Sequence, residues 1–226
     1  YWGTSGDQAI KRHEVTAKQP ITHTLIAKSA EPFTSSAGEK YLYDYENNTV
    51  QWKIRINEKG LPIDNAVITD DLPLGVTFPH SWEGAVTGAV RVSGAASWNG
   101  TWIPGTEEGT AGTIVFEDGM QIEVQVTEGA APAENGKPYS KDTVTFTFKD
   151  AEGNAQRINH KYEITFITSL DEDFRREVVK SNRVTKLVNR AKLDGSIDGR
   201  PVDTGWVTAE NEAVPKPLVK EGSYHG

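Results

Sequence analysis

The sequence predicts an all-β sandwich, and three observations predict it. Apolar and polar residues alternate with period two in several runs, turn-forming residues separate those runs, and only one stretch suits a helix. Alternation puts one face of a strand in a core and the other in water. It runs through Val50-Gln51-Trp52-Lys53-Ile54-Arg55-Ile56, Gln121 to Val126, Thr143 to Phe148 and Tyr162 to Ile167. Between such runs lie Glu58-Lys59-Gly60, Glu117-Asp118-Gly119, Glu134-Asn135-Gly136-Lys137-Pro138 and Asp150-Ala151-Glu152-Gly153-Asn154, all rich in turn chemistry. The helical stretch, around Leu170–Lys180, is acidic early and basic late, as the helix dipole favours.

Composition narrows the function. The 226 residues carry 24 Lys+Arg against 32 Asp+Glu, a formal net charge of −8, and no cysteine. Disulfides, cysteine nucleophiles and Cys-type metal sites are therefore excluded. A negative charge without a basic cluster argues against nucleic acid as a partner. No apolar run is long enough for a membrane-spanning helix, and no signal-like segment opens the chain. The expectation is a globular segment of something longer.

An internal similarity sets the expected boundaries. Val15-Thr16-Ala17 overlies Val207-Thr208-Ala209, and the same offset brings Ile26 onto Leu218, Lys28 onto Lys220 and Gly3 onto Gly195. Residues 1–14 then read as the tail of a preceding repeat or a linker, and 15–206 as the domain. Residues 207–226 read as a linker, stiffened around Pro215-Lys216-Pro217, and the first strand of a following repeat.

Strand parity singles out three polar residues. Lys28 shares a face with Ile26; Asp70 shares one with Ala66 and Ile68; Asn189 shares one with Leu187, Ala191 and Leu193. Each alone has an ordinary explanation: a lysine snorkelling from an edge, an aspartate capping the turn before Pro73, an asparagine satisfying backbone groups. Together they place an amine, an acid and a carboxamide at inward positions, where an unpaired charge costs several kcal/mol. A Lys28–Asn189 isopeptide bond assisted by Asp70 removes that cost. Burial favours a neutral, nucleophilic amine and a protonated acid able to polarise the carboxamide and shuttle protons. Asp71 and Asn182 stand as alternative acid and alternative asparagine.

The order of Lys28 in an early strand, Trp52-Lys53-Ile54-Arg55-Ile56-Asn57, Ile68-Thr69-Asp70-Asp71-Leu72-Pro73 and Asn189-Arg190-Ala191-Lys192-Leu193 resembles the CnaA-type immunoglobulin-like domains. These occur in cell-wall-anchored adhesins and pilins of Gram-positive bacteria. The resemblance covers about residues 21–195 and implies an immunoglobulin-like β-sandwich with Lys28 and Asn189 as bond partners and Asp70 as the catalytic acid. It also implies an extracellular, cell-wall-anchored stalk whose partners are neighbouring repeats, with no cofactor and no turnover beyond the single crosslinking event.

Residues 79–113, rich in Gly, Trp and Ser, read as an insertion. Its Trp82, Trp98 and Trp102 fit a loop folded over its own small core, with a patch for a host matrix protein or glycan as the alternative. The five histidines lack paired-ligand spacing, and Asp171-Glu172-Asp173 and the 150–154 turn lack the EF-hand pattern. Asn47-Asn48-Thr49 and Asn99-Gly100-Thr101 match glycosylation sequons, which carry little weight in a bacterial setting. No nucleophile elbow, P-loop or dinucleotide fingerprint occurs. An accessory sandwich of a secreted glycosidase is a third possibility.

Overall fold

Alternation becomes two antiparallel sheets in the computed structural model, which describes residues 25–78, 90–93, 100–105, 110–129 and 141–215. Among them, the first half of the chain gives β1 (Ile26–Ala30), β2 (Phe33–Thr34), β3 (Lys40–Tyr41), β4 (Tyr43–Asp44), β5 (Thr49–Ile56), β6 (Asp64–Asp71), β7 (Val76–Thr77) and β8 (Val90–Ser93). The second half gives β9 (Thr101–Pro104), β10 (Thr110–Val115), β11 (Gln121–Thr127), β12 (Thr143–Lys149), β13 (Tyr162–Leu170), α1 (Glu172–Ser181), β14 (Thr185–Ile197), β15 (Arg200–Asp203) and β16 (Val207–Ala213). One sheet runs β1-β5-β13-β7, with β4 also on β5 and β8 on β13. The other runs β15-β14-β6-β12-β11-β10-β9, with β16 also on β14. Strands β2 and β3 form a separate ribbon. The protein is the all-β sandwich that the alternation predicts.

The core lies between the sheets and follows the period-two faces. Val50, Trp52, Ile54 and Ile56 of β5 meet Ile164 and Phe166 of β13 and, from the opposite sheet, Ile68, Val144, Phe146 and Leu193. Aromatic rings bridge the layers, Phe146 packing on Phe166 with centroids 5.5 Å apart and Phe148 on Tyr162 at 5.1 Å. The Trp52 indole is held by donation from Nε1 to Thr168 Oγ1 at 3.0 Å.

The single helix forms where the charge pattern places it. Asp171 caps it by accepting from the N–H of Asp173 (2.9 Å) and Phe174 (3.3 Å), while Phe174 and Val178 turn inward. Asn182 ends it in the left-handed conformation (φ 50°), its N–H donating to Val179 O at 3.2 Å.

Two boundaries differ from expectation. The internal similarity predicts a domain that closes at 206, with a linker and the first strand of a following repeat in 207–226. Instead Val207–Ala213 is β16 of the same sheet, paired with β14 from Ala191↔Val207 to Thr185↔Ala213. Its Ala209, Asn211 and Ala213 are buried, and Asn211 Nδ2 donates to Gln51 O at 3.2 Å, tying the strand to β5 across the sandwich. Small residues at alternate positions let β16 lie close over that edge, which is why it completes this core. Second, the end of the 79–113 insertion is not separate: β9 and β10 extend the second sheet beyond β11. Residues 1–14 and Lys216 onward, to which the tail of a preceding repeat and most of the following one are assigned, lie outside the described residues.

Candidate functional site

β1 borders the first sheet, and Lys28 sits opposite Ile54 of β5. The strand's own backbone is partly open, yet the Lys28 side chain has no solvent exposure because it points into the sandwich. Its Nζ lies 5.5 Å from the Trp52 ring centroid and 5.1 Å from that of Phe166. Two aromatic faces thus flank the amine on its way across the inter-sheet gap, which is about 10 Å in such packings.

β6 supplies the acid from the centre of the opposite sheet. Its inward face is Ala66, Ile68 and Asp70, all without exposure. Asp70 sits between Val144 of β12 and Ala191 of β14. Two residues along β14 from Ala191, on the same face, is Asn189, paired with Ala209 of β16 and likewise without exposure. Asp70 and Asn189 are therefore diagonal neighbours on one face, and the small Ala191 leaves space beside them. Lys28 Nζ donates to Asp70 Oδ2 from the other sheet.

The polar accounting at this point is incomplete. Asp70 Oδ1, Asn189 Nδ2 and Asn189 Oδ1 are buried without a hydrogen-bond partner among the described residues. Leaving a buried polar group unpaired costs about 1–3 kcal/mol, so three at one locus is unusual. Burial pushes the Lys28 pKa below the ordinary 10.5, outweighing the opposing charge and hydrogen bond of Asp70. Burial also pushes the Asp70 pKa above 3.8, against the opposing influence of Lys28 and Asn189 and with help from the nearby charge of Asp71. Both groups move toward their neutral forms, a free amine beside a carboxylic acid.

Three other candidates are placed elsewhere. Asp71 lies on the opposite face of β6, where Arg190 Nε (2.9 Å) and Nη2 (2.7 Å) donate to its Oδ2 and Thr143 Oγ1 donates to its Oδ1 at 3.1 Å. Asn182 is the exposed helix cap. Trp102 is buried, 8% exposed, with its ring tilted against Phe78, so it packs the core rather than presenting a contact surface. Trp82 and Trp98 lie outside the described residues. The rings of Trp52 and Phe166 form the lysine's surroundings, a role that neither strand alternation nor the motif beginning at Trp52 reveals. Among the described residues no three metal-ligating side chains come together, and no helix is long and apolar enough to cross a membrane.

No protein-family model and no curated protein matches the chain. Solved structures to which the chain is similar include the Enterococcus faecalis MSCRAMM ACE, which binds its ligands by the collagen Hug model. It is 8% identical over 84% of this chain and 51% of its own, with a TM-score of 0.42. A collagen-binding domain from a Staphylococcus aureus adhesin is 10% identical, covering 83% of this chain and 96% of its own at a TM-score of 0.40. ACE19, the collagen-binding subdomain of the Enterococcus faecalis surface protein ACE, is 6% identical with the same coverages and a TM-score of 0.37. The chain spans about half the length of the first of these.

Proposed function

We propose that this domain is a structural unit of a bacterial cell-surface adhesin, stapled by a spontaneous isopeptide bond between Lys28 and Asn189 with Asp70 as proton shuttle. The observation that carries the reading is the meeting of a buried amine, a buried acid and an unpartnered buried carboxamide where two sheets face each other. With the Lys28–Asp70 pair neutral, the Lys28 Nζ lone pair attacks Asn189 Cγ while the Asp70 carboxylic acid polarises the carboxamide oxygen. One amine proton passes through the Asp70 carboxyl group to the leaving nitrogen. The Cγ–Nδ2 bond breaks, ammonia departs, and a secondary amide remains. No oxidant or cofactor enters the balance. Folding supplies the proximity that makes the step intramolecular, and the product leaves no lysine charge in the core.

The bond links β1 in one sheet to β14 in the other and closes a loop of 161 residues. By chain entropy a loop of that length is worth about 5 kcal/mol. Load entering at β1 would pass through the bond to β14 and spare most of the sandwich. Residues 190–213 stay in series, because β16 rather than β14 ends the described fold. Such a domain suits an extracellular, cell-wall-anchored stalk with neighbouring repeats as partners.

A host matrix protein or glycan would now have to engage Trp82 and Trp98 without Trp102. Intact-protein mass spectrometry tests the crosslink: the chain should be lighter than its sequence mass by one ammonia, and Lys28→Ala or Asp70→Ala should weigh their full sequence mass. A wild-type chain at full mass would remove the bond and leave the fold untouched.

A further inference from the structure

Directly behind the Asp70–Asn189 pair, on the outer face of the same two strands, the next residues of each strand make a second polar cluster. Arg190 and Asp71 are ladder partners, one step from Ala191↔Asp70. Both Asp71 oxygens are engaged, Oδ2 by Arg190 and Oδ1 by Thr143 of β12. The Arg190 guanidinium also stacks 4.3 Å from the centroid of Trp206, in the connection from β15 to β16. The cluster therefore stitches β12, β6, β14 and the start of β16 together at the level where the inner face needs Asp70 and Asn189 side by side.

The inner face has no fastener of that kind: no hydrogen bond of ordinary geometry holds Asn189 there among the described residues, although it lies near enough to Asp70 to favour its carboxylate. The other end of the β6–β14 ladder is irregular: the register shifts between Asp194↔Val67 and Ser196↔Asp64. Gly195 sits in that step, where a Cβ would come within 2.8 Å of Ile63 Cγ2 and 2.9 Å of Asp64 O. A one-residue slip of β14 on β6 would turn Asn189 out of the core, so a tie that fixes the ladder at this end matters for the pair.

We propose that Arg190 and Asp71 are positioning residues for the crosslink, holding β6 and β14 in the register that sets Asp70 beside Asn189. The inference rests on the isopeptide reading above. Its test is the rate of ammonia loss, followed by intact mass in chain freshly made by cell-free synthesis. Arg190→Gln and Asp71→Asn should each slow the loss by about tenfold, since small misplacements of reacting groups are costly. The charge-exchanged double variant Asp71→Arg/Arg190→Asp should recover most of the rate. The exposed pair Arg157–Asp64, with Nε–Oδ1 2.6 Å and Nη2–Oδ2 2.9 Å, also holds β6 and serves as control; Arg157→Gln should react as fast as wild type. Thermal melts of the same substitutions in a Lys28→Ala background report whether each still folds without the bond.

Wild-type rates in both single variants, a double variant as slow as either single one, or equal slowing by Arg157→Gln would overturn the positioning role. A wild-type chain that never loses ammonia overturns the crosslink and this role with it. A wild-type chain one ammonia light, with Arg190→Gln equally fast, overturns this role alone.

Discussion

Asp70 and Asp71 are chain neighbours that the sheet sends in opposite directions. Asp70 faces a dry interior, meets a lysine from the other sheet and keeps one oxygen unpartnered; Asp71 faces outward, where Arg190 and Thr143 occupy both oxygens. Strand parity, rather than residue type, thus decides which carboxylate is available for chemistry. A satisfied outer aspartate is a fastener, whereas an inner one deprived of water is driven toward its acid form.

The widest separation between the two should appear on truncation. Asp70→Ala abolishes the bond, forfeiting about 5 kcal/mol of loop closure, and strands the Lys28 amine in the core. Asp71→Ala still reaches the crosslinked end point and costs about 1 kcal/mol, as expected of a partly exposed pair. Chemical denaturation of both variants measures the contrast; equal losses would erase it.

The next effect is in pH. In Lys28→Met the bond cannot form, and the remaining Asp70 loses the cation that opposes burial. Its folded-state pKa lies above the unfolded 3.8, so its contribution to stability is complete below that value. The contribution is lost as pH rises through the raised folded-state pKa. Urea melts should show Lys28→Met gaining stability from neutral to acid pH relative to Lys28→Met/Asp70→Ala. Parallel pH curves for the two would contradict the buried acid.

A smaller effect separates the two asparagines. Asn182→Ala should leave the crosslink intact and cost about 1 kcal/mol for placing alanine in a left-handed cap. Asn189→Ala should give full sequence mass. Loss of the bond in Asn182→Ala would instead move the carboxamide to the helix end.

Most of the sandwich was legible because a half-buried strand writes its burial into alternate residues, and β5, β11, β12 and β13 do so plainly. The same parity places Lys28, Asp70 and Asn189 inward, whereas the contrast between Asp70 and Asp71 emerges only from their contacts with Lys28 and Arg190. Two features needed the fold. The sequence leaves Trp102 between a contact patch and a packed loop, and its burial depends on Phe78, a neighbour distant in sequence. The internal similarity, Val15-Thr16-Ala17 over Val207-Thr208-Ala209 with a few scattered matches at the same offset, points β16 toward a following repeat instead of this core. The better signal was Ala209-x-Asn211-x-Ala213, small residues at alternate positions, whose meaning depends on Gln51 of β5 across the core. The outer fastener was invisible because pairing Arg190 with Asp71 requires the register.

Peptide mapping by tandem mass spectrometry tests the central claim most directly. A protease digest of the wild-type chain should contain a branched peptide in which the Lys28 side chain is joined to that of Asn189, with the loss of one ammonia located at that junction. Recovery of the Lys28 and Asn189 peptides only as separate linear species, each at its sequence mass, would contradict it.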